Sequence, residues 1–256
     1  MKKRNSYYYE VFGRPAFLKK VFLSFFLELS YYFRVPIEVI TRRNMGERYF
    51  NILLTAVMGI AFLYVPIYFS KNYNNDIDWG QIFRMFGTWY IYTALFLYSS
   101  YKRWQEIRTY PSVWDLKRFS LTAGKPHSFF LQLKMGGKEL TPRFIAAVVE
   151  PGIFFGIGLV LTLLQQPIGI VLLVCSVVYA LGYTAAYYLS DQFVMDKIDE
   201  MICNEDMRDI FVNDIGSKRG FEFSAKRPTD KAARQQLYDE YIDVENTNSR
   251  EPQVMN

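Results

Sequence analysis

Hydrophobic positions along the chain fall into two patterns. Some form long runs almost without charge, and others recur every three or four positions among polar residues. Four runs have the first character, at 50–69, 81–101, 144–164 and 167–189. A helix rises 1.5 Å per residue, so roughly 20 apolar residues cross about 30 Å of hydrocarbon, where every backbone polar group must be satisfied within the segment. Each run reaches that length. Together they predict an all-α polytopic integral membrane protein with four transmembrane helices in two hairpins, 50–101 and 144–189. The 81–101 run is the least apolar, because Arg84 lies one turn inside it and several Tyr and Ser dilute it.

The second pattern appears at 16–33, where Leu18, Val21, Phe22, Phe25, Phe26, Leu29, Tyr32 and Phe33 share one helical face. Lys19, Lys20 and Glu28 argue against a fifth span. The segment reads as an N-terminal amphipathic helix lying in the plane of the membrane, with Lys19, Lys20, Phe22, Phe25 and Phe26 at its surface. The loop 102–143 is too short for its own core yet holds Trp104, Trp114, Phe119, Phe129 and Phe130, so it is expected to pack on the membrane or a partner. Residues 129–140 carry the signal of a small hairpin around Gly136-Gly137. Beyond the last span, 191–214 places Val194, Ile198, Met201, Ile202 and Phe211 near one helical face with acids on the others, which predicts an amphipathic cytoplasmic helix. Gly216 and Gly220 break it, a second short helix carrying Leu237, Tyr238, Tyr241 and Ile242 follows at 231–244, and the last dozen residues read as disordered.

Charge adds a direction. Lys and Arg number ten in 1–49, one in 70–80, nine in 102–143, none at 165–166 and nine in 190–256. The positive-inside rule then places 1–49, 102–143 and 190–256 in the cytoplasm, both termini included, as in a bacterial inner membrane protein. Residues 1–189 hold 21 Lys+Arg against 10 Asp+Glu, +11, and 190–256 hold 9 against 15, −6, which sum to the net +5. The basic surplus flanks the spans, where it faces anionic headgroups, so the lipid bilayer rather than nucleic acid is the expected partner.

Catalytic chemistry has little to work with. Two cysteines, Cys175 and Cys203, allow no disulfide framework, and the single histidine, His127, excludes any site needing a pair. No phosphate-binding loop, nucleophile elbow, HExxH or CxxC is present. Asn74, Asp76 and Asp78 resemble a Ca²⁺ loop, but Trp79 and Met85 stand where its Gly and Glu belong. The expectation is therefore no enzyme, no cofactor and no metal.

Glu150 stands out, because a carboxylate inside a span needs a partner or water. With Pro151-Gly152 behind it, it reads either as a proton-linked or ion-coordinating group, or a fixed polar contact to another subunit, or, preferably, as an interface carboxylate paired with Arg48, Lys102 or Arg103. Arg84 reads as snorkelling to the outer headgroups. Gly152 and Gly156, and again Gly182 and Ala186, have the small-xxx-small spacing of close helix packing, within the hairpin or against another protein. The leading expectation is a non-enzymatic subunit that anchors or scaffolds an inner-membrane assembly of secretion, conjugation or envelope type. Its partners would be other membrane or cytoplasmic proteins or further copies of itself. The alternatives are a small oligomeric transporter or channel using the Glu150 carboxylate, and membrane shaping by the in-plane helix.

Overall fold

A computed structural model describes residues 7–13, 17–74, 79–109, 114, 116–135 and 138–239, and the chain is mostly helical (75%). In chain order it forms α1 (Phe17–Thr41), β1 (Arg42–Arg43), α2 (Ile52–Asn74), α3 (Trp79–Thr109), β2 (Lys125–Pro126), α4 (Ser128–Leu131), β3 (Lys134–Met135), β4 (Lys138–Glu139), α5 (Pro142–Phe144), α6 (Glu150–Leu163), α7 (Ile168–Phe211) and α8 (Lys231–Leu237), with π-helical turns at Tyr8–Phe12 and Ile145–Val149. β1 pairs antiparallel with β2, and β3 with β4. The chain divides into two compact units, Val21–Tyr187 and a terminal unit made of the described residues up to Lys20 and from Tyr188 onward.

Three segments among the described residues are long and apolar enough to cross a membrane: Ile52–Ser70, Pro142–Leu163 and α7. The 81–101 run lies in α3, which at 31 residues is long enough but too polar to join them. Two of its hydroxyls are satisfied by the helix itself: Thr93 Oγ1 donates to the Trp89 carbonyl at 2.9 Å and Ser100 Oγ to the Phe96 carbonyl at 2.8 Å. The segment at 191–214 is not a separate helix, since α7 runs unbroken for 44 residues. No Gly or Pro lies between Gly182 and Phe211 to interrupt it.

Other boundaries also shift. The helix expected at 16–33 continues to Thr41, tolerating Pro36, and its second half is core, with Ile37 and Glu38 fully buried and Val39 nearly so. Its first half keeps an open face, on which Phe22 is 71% and Phe25 66% exposed while Phe26 is half-buried. Lys19 donates to the Tyr188 hydroxyl at 2.7 Å, and the Lys20 side chain lies outside the described ones. Of the hairpin expected at 129–140, the β3–β4 pairing forms, whereas Phe129–Leu131 are helical; Gly136 and Gly137 lie outside the described residues. Asp76, Asp78, Tyr241, Ile242 and the last dozen residues also lie outside them.

Within Val21–Tyr187, α2 and α3 pack through Phe62, Trp89, Tyr92 and Phe96. Pro66 has no N–H for the carbonyl four residues back, that of Phe62. Trp89 Nε1 donates to that carbonyl at 2.7 Å and fills the vacancy. α6 and α7 are joined by a tight turn at Gln165 (φ +56°), and the Gln166 N–H returns to the Leu161 carbonyl at 2.8 Å. Their backbones meet at Gly158 and Gly169, where a Cβ on Gly169 would stand 2.5 Å from the Thr162 nitrogen. Gly152 and Gly156 take no part, since a Cβ on either meets nothing within 4 Å. The spacing identified a helix face, but close approach within the hairpin occurs at Gly158, two residues beyond Gly156 and on the other side of the helix. Gly182 does pack closely, against Ser30 and Arg34 of α1 rather than across the hairpin, and Ala186 is half-buried.

The terminal unit is built on the last turns of α7. Cys203, Met207, Phe211 and Val212 form its core with Tyr8 and Tyr238, and Tyr7 stacks on Phe223 at 4.8 Å. α7 stops where Asp214 adopts φ +57° and the Ile215 N–H returns to the Asp209 carbonyl at 3.0 Å. Asp214 accepts from Arg227 at 2.8 Å and from Arg234 at 2.7 Å, tying α8 to that end.

Three substitutions test these contacts by thermal unfolding in detergent. Gly158→Leu is expected to destabilise by about 1–3 kcal/mol through overpacking, while Gly156→Leu leaves the Tm of the isolated chain unchanged. Trp89→Phe keeps the ring but strands the Phe62 carbonyl, and the expected loss is about 1–3 kcal/mol. An unchanged Tm for Trp89→Phe would mean that carbonyl finds another donor.

Candidate functional site

Charged residues are rare inside apolar helix bundles, so those buried in the Val21–Tyr187 unit mark its one concentrated polar region among the described residues. Arg34 and Glu38 come from α1, Arg42 from β1, Tyr49 from the segment before α2, Glu150 from the start of α6, and Tyr179 and Tyr183 from α7. Arg34 and Glu38 are four residues apart on α1, as Tyr179 and Tyr183 are on α7, so each pair lines one side of its helix, and Arg42 follows four residues after Glu38.

Arg42 is brought in by the backbone. At the end of α1 the Thr41 carbonyl accepts from the His127 N–H at 3.0 Å, and Arg42 pairs with Pro126 in the β1–β2 ladder. The next residue, Arg43, places Nη2 2.8 Å from His127 Nε2. The other ring nitrogen of His127, Nδ1, lies 3.3 Å from the Phe129 N–H at the start of α4. His127, without an assignable partner in the sequence, thus belongs to the strap that holds Arg42.

Glu150 is fully buried, and its partner is Arg42 rather than Arg48, Lys102 or Arg103. Arg42 Nη2 and Nε lie 2.6 Å and 3.1 Å from Glu150 Oε2, and the Tyr179 hydroxyl donates to the same oxygen at 2.5 Å. Arg103 is engaged elsewhere, 2.6 Å from Glu106. A second carboxylate, Glu38, accepts from the Tyr183 hydroxyl at 2.8 Å and from the Tyr49 hydroxyl at 2.6 Å, with Arg34 Nε 3.8 Å away. The two halves share Tyr183, whose ring lies under the Arg42 guanidinium at 4.4 Å and the Arg34 guanidinium at 5.0 Å.

Formal charge balances, two arginines against two glutamates. Burial alone would lower the Arg42 pKa, but the surrounding Tyr179, Tyr183, Glu150 and Glu38 outweigh it and the net direction is upward, so the guanidinium stays charged. Burial, reinforced by Glu38, holds the Tyr49 phenol well above its usual range, so it remains a neutral donor. Two atoms are left over: Glu150 Oε1 and Arg34 Nε make no hydrogen bond.

No family model, curated protein or solved structure matches this chain. Chemistry must therefore be read from the cluster itself. Its hydroxyls donate to carboxylates, its carboxylates face guanidiniums, and among the described residues no group of three His, Cys, Asp or Glu is placed to hold a metal. The other residues singled out in the sequence stay apart: Arg84 is exposed on α3, Cys175 is buried beside Tyr179, and Cys203 sits in the terminal unit's core. A π-helical turn, with the Glu150 N–H bonded to the Ile145 carbonyl five residues back, leads into Pro151 and sets the carboxylate's direction.

Removing one member of a buried pair leaves an uncompensated charge, at a cost of about 3–5 kcal/mol. Arg42→Met is therefore expected to destabilise strongly, and Glu150→Leu to recover most of the loss in the double variant. Chemical-denaturant unfolding in detergent checks this, and additive losses would sink the direct pairing.

Proposed function

We propose that this chain is a non-enzymatic integral membrane subunit that anchors or scaffolds a larger inner-membrane assembly through its cytoplasmic segments. The single observation supporting it is that the buried charges are neutralised within the cluster, Glu150 by Arg42 and Tyr179, and Glu38 by Tyr49 and Tyr183 with Arg34 beside it. Ionisable side chains that neutralise one another fix helices in place. They do not present a free nucleophile or base to a substrate.

The topology in this reading has four spans in two hairpins, with α3 as the second, both termini and the 102–143 loop cytoplasmic, and the open face of α1 lying along the headgroups. The 10, 1, 9, 0, 9 alternation of basic residues supports it. So does the length of α3, 31 residues packed along α2. A secretion, conjugation or envelope machine suits such a part, with protein partners or further copies of the chain held by residues 190–256.

A second reading, a small oligomeric transporter or channel, draws on one feature: Glu150 is fully buried with Oε1 unpartnered. Glu150-dependent flux in proteoliposomes would favour it.

The deciding experiment is a mild-detergent pull-down of the full chain from native membranes, with mass spectrometry and a parallel chain lacking residues 191–256. Stoichiometric partners that vanish with the tail are the expected result. A lone or purely self-associated protein in both runs would overturn the scaffold reading.

A further inference from the structure

α7 continues past its apolar stretch with Val194, Met195, Ile198 and Met201 on one side, each between 46% and 60% exposed. Ile202, half-buried, completes the patch. At 100° per residue these five positions fall within about a third of the helix circumference. The opposite side does the structural work: Cys203 and Met207 enter the terminal unit's core, and Glu200 accepts from Tyr9 and Lys197. The apolar face is therefore not the one that folds the unit. Contiguous exposed apolar side chains bounded by charge mark interaction sites, and methionines let such a surface adapt to its partner.

The surrounding charge selects the occupant. Between positions 191 and 209 stand seven acids, Asp191, Asp196, Asp199, Glu200, Glu205, Asp206 and Asp209, against Lys197 and Arg208, a formal balance of −5. Asp199 and Glu205 border the apolar patch directly and are exposed; Arg219 pairs with Glu205 at 2.6 Å and with Asp206, and with it counted the rim keeps a formal balance of −4. An anionic lipid surface is repelled by such a rim. A second copy paired face to face would set acid against acid. A basic amphipathic helix satisfies both features at once, its apolar stripe on Ile198 and Met201 and its Lys or Arg against the rim.

We propose that the Val194–Ile198–Met201 face of α7 is the docking site for a basic amphipathic helix of a partner protein. The inference rests on the scaffold reading and names the chemistry of the partner. It also explains why a helix with no further packing to do inside the terminal unit keeps a greasy side.

The test uses the full chain in zwitterionic phosphatidylcholine nanodiscs, with empty discs as the blank. The probes are two fluorescein-labelled 18-residue amphipathic peptides, one of Leu and Lys and one of Leu and Glu, followed by anisotropy. The Leu/Lys peptide is expected to bind at least tenfold tighter than the Leu/Glu peptide. Ile198→Asp and Met201→Asp should each weaken it tenfold or more, Asp199→Lys should weaken it by a smaller factor, and Ile215→Asp, an exposed apolar position off this face, should leave it unchanged. Circular dichroism checks each fold, and Ile198→Ser replaces any Asp variant that fails to fold.

Equal binding of the two peptides, or indifference to Ile198→Asp, overturns the proposal. So does a concentration-dependent dimer abolished by Ile198→Asp, which assigns the face to a second copy. Quenching of a bimane label on Ile198→Cys by brominated phosphatidylglycerol assigns the face to lipid and overturns the proposal as well. Native partners retained by an Ile198→Asp chain overturn this face and leave the scaffold reading standing, whereas absence of native partners with selective peptide binding intact overturns the scaffold reading alone.

Discussion

A carboxylate enclosed by apolar helices must be neutralised where it lies, and the Val21–Tyr187 unit is arranged around that demand. Glu150 has no access to solvent, and the cation that answers it comes from a residue 108 positions earlier in the chain. For Arg42 to arrive there, α1 must run into the core instead of ending on its surface, and the chain must turn sharply after Thr41. The β1–β2 ladder and the His127 contacts secure the turn. The close approach of α1 to α7 at Gly182 serves the second carboxylate, because the Tyr183 hydroxyl of α7 reaches Glu38 of α1 only if the two helices nearly touch. Ionic pairs of this kind contribute little net stability against an apolar replacement, so their effect is chiefly on which arrangement of helices is allowed.

Hydrophobic periodicity carried much of the helical content. The runs at 50–69 and 144–164 lie within a residue or two of Ile52–Ser70 and Pro142–Leu163, because the length of an apolar run is a local property of the sequence. α3 is harder to place, since its tyrosines, serines and Arg84 lower the average while two of its hydroxyls are silenced by their own helix. The partner of Glu150 was not legible. Arg48, Lys102 and Arg103 are plausible by depth alone, and the choice of Arg42 depends on a strand pairing between residues about eighty positions apart. A trace of the cluster was nevertheless present: Arg34, Glu38 and Arg42 at intervals of four, embedded in an otherwise apolar stretch, and two tyrosines at the same interval in a span. Such a register of polar groups inside greasy helices is a more specific signal than any one of them.

The glycines teach the complementary point. Gly152 and Gly156 have the spacing of a packing motif, but spacing defines a face and not what covers it; Gly158 and Gly169, which do bring two backbones together, are distinguished only by the direction in which the turn at Gln165 sends the chain. The docking face on α7 presents the same ambiguity, resolved there by charge.

Pro66 in α2 has a consequence for how the protein is made. A helix leaving the insertion machinery with one carbonyl permanently short of a donor is poorly suited to sit alone in hydrocarbon. The donor it needs, the Trp89 indole, is synthesised later, on α3. The hydrogen bonding of α2 is therefore completed by α3. In the proposed four-span topology, two helices that could be treated as independent insertion events form a single unit of assembly, and the less apolar α3 gains from α2 a polar contact that favours its retention beside it.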